Sequence, residues 1–200
     1  KFQEAIDWRD RNAPDKEVWV TEFGYDASTQ DPPAEGTFKD FKDVTDVQQA
    51  QWIVRSFLVM SAMDLQRAYL YWFNDNDAYS LHAASGVTRF FKPKPSYWAM
   101  SHLYKSLADY RFERAARADA KAYVYEYVHG GNPHRRVWVV WSPTGEDISG
   151  TVELTLPGKS VRAERMPLRE GGVPEVKFHV GQDGVAEIPL TESPLYLFLE

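Results

Sequence analysis

Cysteine is absent from the 200 residues, which excludes disulfides and thiolate metal sites and leaves the compartment open. An excess of basic charge is missing as well. The formal net charge is −6, so the chain lacks the positive field by which proteins attract nucleic acid. No apolar run is long enough to span a bilayer; the longest, Ile53 to Met63, is interrupted by Arg55. Repeats and low-complexity segments are lacking too. The histidines, at His82, His102, His129, His134 and His179, form no pair with metal-ligand spacing on one helix. Asp75-Asn76-Asp77 is not followed by the glycine and closing Glu of a calcium loop. The paired glycines 130–131 and 171–172 are turn residues rather than phosphate cradles, and no Gly-x-Ser-x-Gly elbow occurs. No metal, cofactor, nucleic-acid partner or membrane partner is therefore expected. The chain opens on Lys1 without a basic-then-apolar leader, and Phe2 to Trp8 already reads as the middle of an amphipathic helix. The expectation is a fragment whose preceding segment lies outside this sequence.

What is present is globular in balance, with 44% hydrophobic and 26% charged residues, against disorder. Aromatic rings are frequent, including 7 Trp and 11 Tyr, and suit sugar faces as well as ordinary cores. Residues 1–110 read as helix, strand, helix, strand, helix, the pattern of parallel strands covered by helices. A helix over Phe2–Asn12 stops at Pro14, and a strand over Glu17–Phe23 follows. The loop Gly24–Asp43 is long enough to suggest function. Thr45 and Gln48 have the spacing of a capping box, and an apolar stripe from Ala50 to Leu65 predicts the second helix. A strand over Ala68–Phe73, a loop over Asn74–Lys94 and a helix starting at Pro95 complete this part.

After Tyr110 the pattern changes. The Arg-rich stretch Arg111–Arg117 reads as a connection. Seven short alternating runs then follow, over 122–128, 136–141, 151–156, 161–166, 176–180, 185–190 and 195–199, with turn residues between them. This predicts an antiparallel β-sandwich over residues 111–200.

The most informative segment is Val18-Trp19-Val20-Thr21-Glu22-Phe23-Gly24. Strict alternation places Val18, Val20 and Glu22 on one face and Trp19, Thr21 and Phe23 on the other. With the branched residues in a closed barrel's interior, Glu22 emerges at the C-terminal strand end, where such barrels put catalytic groups. Trp19-Val20-Thr21-Glu22-Phe23-Gly24 resembles the seventh-strand motif of clan A glycoside hydrolases. Tyr69-Leu70-Tyr71-Trp72-Phe73 resembles their eighth strand, and Lys94-Pro95-Ser96-Tyr97-Trp98-Ala99-Met100 the start of the eighth helix. The resemblance implies an α/β fold made of units seven and eight of a (β/α)8 TIM barrel, followed by an all-β antiparallel sandwich. It implies a retaining hydrolase of O-glycosidic bonds with Glu22 as nucleophile and Trp72 as the floor of a sugar subsite. The partners it implies are an oligo- or polysaccharide substrate and a missing N-terminal barrel segment. The acid/base carboxyl of the clan belongs to a fourth strand that this sequence does not contain, so the fragment alone is expected to be inactive. Its open strand edges and uncovered inner face favour association.

Blander readings stand beside these. Glu22 also fits an ion-paired strand end, and Trp72 a core residue. Tyr25, Asn74, Asp75 and Asp77 fit either sugar-binding or loop-forming positions. A carbohydrate-binding or scaffolding module without catalysis is the alternative function.

Overall fold

Helix signals in the first half translate into three helices, of which the second stops at Ser61, short of the Leu65 that the apolar stripe suggests. A computed structural model describes residues 1–200 and divides them into two units, Lys1–Tyr97 and Trp98–Glu200. Helix α1 (Phe2–Asn12) closes at Ala13, whose N–H reaches the Arg9 carbonyl. The Arg9 side chain is buried and donates to the Lys16 carbonyl at 2.8 Å and to Asp10 and Asp64, fastening the helix to the chain beyond it. Helix α2 (Asp46–Ser61) starts with a complete capping box: Thr45 Oγ1 accepts from the Gln48 N–H at 3.1 Å, and Gln48 Oε1 accepts from the Thr45 N–H at 3.0 Å. Helix α3 (Pro95–Leu107) begins on a proline, which has no N–H to leave unpaired there.

In the first unit β1 (Trp19–Phe23) and β2 (Arg67–Leu70) pair in parallel. Both are shorter than the sequence suggests. The loop after β2 folds into a small sheet of its own, β3 (Asn74–Asp75), β4 (Thr88–Arg89) and β5 (Lys92–Pro93).

The second unit holds β6 (Tyr110–Ala118), β7 (Tyr123–His129), β8 (Asn132–Trp141), β9 (Gly150–Thr155), β10 (Ser160–Arg165), β11 (His179–Val180), β12 (Val185–Leu190) and β13 (Leu195–Leu199). They form a five-stranded sheet in the order β10-β13-β8-β7-β6 and a three-stranded sheet in the order β11-β12-β9. All pairings in these sheets are antiparallel. One apolar core joins them. Val124, Trp138, Val140, Leu195 and Leu197 come from the larger sheet, and Val152, Leu154, Ala186 and Ile188 from the smaller. Alternation explains the choice, because these positions fall two apart along each strand.

Residues 111–117, read from the sequence as a connection, lie within β6. Its alternation is broken by register shifts at Phe112/Arg114 and Ala115/Arg117, so the period-two signal is lost. The expected strand over 176–180 shrinks to His179–Val180, while Val176 donates its N–H to the Ala163 carbonyl beside β10.

Unit two buries His102. Its ring meets Tyr196 edge-on at 4.7 Å and lies within 3.3 Å of Ser106 Oγ. Burial, then the charges of Arg162 and Lys105, push the imidazole from 6.5 down to about 4. Glu164, 3.7 Å away, does not reverse this, because Arg162 holds it at 2.9 Å. The folded state therefore takes up a proton less readily than the unfolded chain. The contribution is complete above pH 6.5, is lost as pH falls from 6.5 towards 4, and levels off below. The full loss is about 3 kcal/mol. Urea unfolding of the native chain between pH 7.5 and 4 should show this decline, and His102→Asn should flatten it. An unchanged slope in the variant would contradict the assignment.

Candidate active site

Glu22 owes its direction to a bulge. In the pairing of β1 with β2, Trp19 stands opposite Arg67, Val20 opposite Ala68 and Phe23 opposite Leu70. Two residues, Thr21 and Glu22, thus face the single Tyr69. An extra residue of this kind reverses the alternation beyond it. Phe23 returns to the face of Val20 and packs on Phe57 of α2, with ring centroids 5.0 Å apart. Glu22 falls on the opposite face with Trp19 and Tyr69, and it is exposed. Strict alternation groups Glu22 with Val18 and Val20; the bulge corrects this. Val20 is buried on the helix side, at 6% exposure. Trp19 does not point at the helices, being 47% exposed, 6.4 Å from the Tyr69 ring and 5.0 Å beneath the Arg67 guanidinium.

The exits of the two strands are drawn together. The Tyr71 N–H donates to the Phe23 carbonyl at 2.8 Å. Gly24 follows at once, and a Cβ there would overlap the Tyr71 carbonyl oxygen and press on Ser85 at 3.3 Å. Trp72 lies just past β2, not within it. It stacks on Tyr71 at 5.3 Å and 15°, across a cis peptide bond, and is 40% exposed. Its neighbours anchor the following loop: the Val87 N–H reaches the Trp72 carbonyl at 3.3 Å and the Thr88 N–H the Phe73 carbonyl at 2.9 Å.

The polar residues beside Glu22 and Trp72 hold the loops. Tyr25 is half-buried, with its hydroxyl 2.7 Å from Ser56 Oγ and its ring edge-on to Trp52. Asn74 Oδ1 accepts from Phe91 N–H at 2.6 Å and from Thr88 Oγ1 at 3.0 Å. Asp75 and Asp77 are buried, at 1% and 3% exposure. Asp75 pairs with Lys94 at 3.2 Å. Asp77 accepts from the Thr29 N–H at 2.8 Å, from Gln30 Nε2 at 2.9 Å and from Thr29 Oγ1 at 2.5 Å. Burial raises its acidity constant's midpoint, but these donors and the Arg89 charge outweigh that and hold it below the usual carboxylate range. Of the two readings open for Asp75 and Asp77, their contacts support the loop-forming one. Asp26, also near Glu22 in sequence, accepts from the N–H groups of His82 and Ala84.

Two cations and one amide complete this frame. Arg89 grips Asp46 through both terminal nitrogens, at 2.9 and 3.0 Å, and brings Nε 2.9 Å from Asp77. Lys94 is buried; burial lowers its amine's pKa, and Asp75 and Asp46 oppose that. Gln49, fully buried on α2, donates to the Tyr25 carbonyl at 2.7 Å and accepts from Ser96 Oγ at 3.0 Å. The Lys94-Pro95-Ser96 motif thus ties loop to helix. Sequence reasoning missed Gln49 and Arg89; a glutamine on the apolar stripe of α2 was the available signal. An open cleft of about 630 Å³ lies along the loop after β1, lined by Phe41, Asp43 and Tyr79 among others, but neither Glu22 nor Trp72 lines it.

The arrangement presents one accessible carboxylate at the end of a parallel strand and one accessible indole at the end of its neighbour, over a frame with its charges paired. An exposed carboxyl group of this kind can serve as a nucleophile or a base, and an exposed indole as a flat apolar surface.

No family model matches the sequence, and no curated protein resembles it in a sequence search. Comparison with solved structures finds 18 matching chains. A family 39 glycoside hydrolase from the gut symbiont Bacteroides cellulosilyticus WH2 matches all of this chain with a TM-score of 0.76 and 21% identity, over 37% of its own length. The catalytic domain of a family 30 xylanase C from Talaromyces cellulolyticus matches 93% of the chain, at TM-score 0.62 and 13% identity, over 41% of its length. A family 30 endoxylanase from Clostridium papyrosolvens C71 matches 96%, at 0.55 and 12%, over 44%. At these identities the likeness is one of fold, and the chain spans less than half the length of each.

Proposed function

We propose that this chain is part of a retaining glycoside hydrolase. Residues 1–110 supply the seventh and eighth units of a (β/α)8 barrel, and residues 111–200 its β-sandwich. Glu22 attacks the anomeric carbon of an oligo- or polysaccharide and forms a glycosyl-enzyme as the C–O bond to the leaving group breaks. A second carboxyl, contributed from outside this sequence and roughly 5 Å away, protonates the leaving oxygen and then activates water. Trp72 forms the floor against which the sugar's C–H face rests. Tyr25 and Asn74 border this floor, with Asp75 and Asp77 beneath it as its support. The observation that carries the reading is the bulge at Thr21–Glu22, which turns the carboxylate onto the face away from α2, beside the strand that leads to Trp72. The glycoside hydrolases that share the fold are in keeping with it.

The decisive experiment uses a longer polypeptide that includes this chain. Incubation with a 2-deoxy-2-fluoroglycoside carrying a good leaving group should attach one sugar to the peptide containing Glu22, seen by mass spectrometry. Labelling of a different carboxylate would remove Glu22 from the role. In the same polypeptide Trp72→Ala should lower kcat/KM by roughly 10- to 100-fold, while Trp72→Phe keeps most of the activity. Equal activity of the two variants would contradict the platform role.

A further inference from the structure

Several arginines in this chain, buried and exposed, meet carboxylates. Arg9, Arg89, Arg114, Arg117, Arg136 and Arg162 each approach an Asp or Glu oxygen within 2.9 Å. Arg165, at the end of β10, does not. Its Nη1 donates to Thr191 Oγ1 at 3.1 Å and to the Ser193 carbonyl at 3.0 Å, and its Nη2 to the Pro189 carbonyl at 2.8 Å. All three acceptors are neutral. Nε and one Nη2 hydrogen make no hydrogen bond, although a guanidinium has five donors. Burial lowers its pKa to about 10, so the charge persists at neutral pH. A largely enclosed charge without a counter-ion is costly and uncommon.

Arg165 also lines a cleft of about 500 Å³, walled by Leu168, Val173 and Pro174 and bordered by Ser193. Gly171 and Gly172, with φ of +107° and +112°, turn the loop that forms its far side. The cleft is of small-molecule size, with apolar walls and a few polar side chains, Arg165, Arg169, Glu170 and Ser193, a make-up that suits a ligand site. A nucleic acid would need a row of cations along a groove. Here the only other cation on the lining is Arg169, next to Glu170. We propose that this cleft binds a small carboxylate, whose oxygens take the free N–H groups of Arg165 while its body rests on Leu168, Val173 and Pro174. Planar pairing of guanidinium with carboxylate favours this anion over a spherical one. The carboxylate could belong to a hexuronate sugar or to an aliphatic acid. The inference makes no use of Glu22 and stands apart from the hydrolase reading.

The test is calorimetric titration of the 200-residue chain with glucuronate, hexanoate, glucose and sulfate. At least one of the two carboxylates should bind with a Kd on the order of 1 mM or below. Glucose and sulfate should bind at least tenfold more weakly. Tighter glucuronate supports a sugar acid as ligand, and tighter hexanoate an aliphatic one. Arg165→Gln should weaken binding at least tenfold. Because that variant also loses bonds to the β12–β13 turn, Val173→Asp is the second probe. It places a carboxylate in the cleft and should abolish binding without lowering the melting temperature. No carboxylate binding, sulfate or glucose binding as tight as the carboxylates, or binding that survives both substitutions would overturn the proposal.

Discussion

Glu22→Gln is expected to lower the turnover of an aryl glycoside by about four orders of magnitude, in a polypeptide that joins this chain to its acid/base partner. That is about 5 kcal/mol of transition-state stabilisation, the scale expected when a covalent nucleophile is removed. The neutral amide keeps the shape of the side chain, and Glu22 is exposed, so the circular dichroism spectrum and unfolding midpoint should not move. Glu22→Ala sharpens the test. A small anion such as azide can occupy the space left by the carboxylate and attack the anomeric carbon itself. Recovered activity with formation of a glycosyl azide identifies the missing group as a nucleophile. Near-native turnover of Glu22→Gln without added anion would end the hydrolase assignment for this residue.

Gly24→Ala should have the second largest effect, for a different reason. The glycine is needed for close approach and not for an unusual φ: its added methyl would run into the Tyr71 carbonyl oxygen. That carbonyl cannot retreat freely, because the same residue's N–H is held by Phe23 at 2.8 Å and its ring is stacked on Trp72. Relief requires the two strand exits to separate. The expected cost is about 2–4 kcal/mol, in the range of overpacking combined with a broken backbone hydrogen bond. Urea unfolding followed by the fluorescence of the first unit should report it. A change below about 0.5 kcal/mol would show that the neighbouring loop yields easily. Activity of the longer polypeptide should fall as well, since the separation shifts Glu22 relative to Trp72.

The sequence made some of this legible and concealed the rest, and the dividing line is physical. Helix ends were readable because their signals are local: Thr45 with Gln48 forms the capping box, and Pro95 opens α3. Parallel pairing of β1 and β2 agrees with the helix–strand alternation, and the likeness to glycoside hydrolase structures agrees at the level of fold. The face of Glu22 was read from strict alternation, which groups it with Val18 and Val20, and the bulge between Val20 and Phe23 overturns that grouping. A bulge depends on the partner strand and leaves no mark in the one that carries it. Asp75 and Asp77 were equally ambiguous, because their acceptors are satisfied by residues such as Thr29, Gln30 and Lys94, up to 48 positions away. β6 was hidden by two register shifts and by its arginines.

Those two irregularities bear on how the molecule avoids its own kind. β6 is the terminal strand of the larger sheet, with nine residues and backbone groups along its outer side. A straight strand of that length is a template onto which identical chains can polymerise. The interruptions at Glu113 and Ala116 break the even spacing that an incoming strand would require. At the opposite border, the backbone of Pro174 and Val176 already occupies β10. The larger sheet is thus closed to fibril growth by distortion at one margin and by a strap of its own chain at the other.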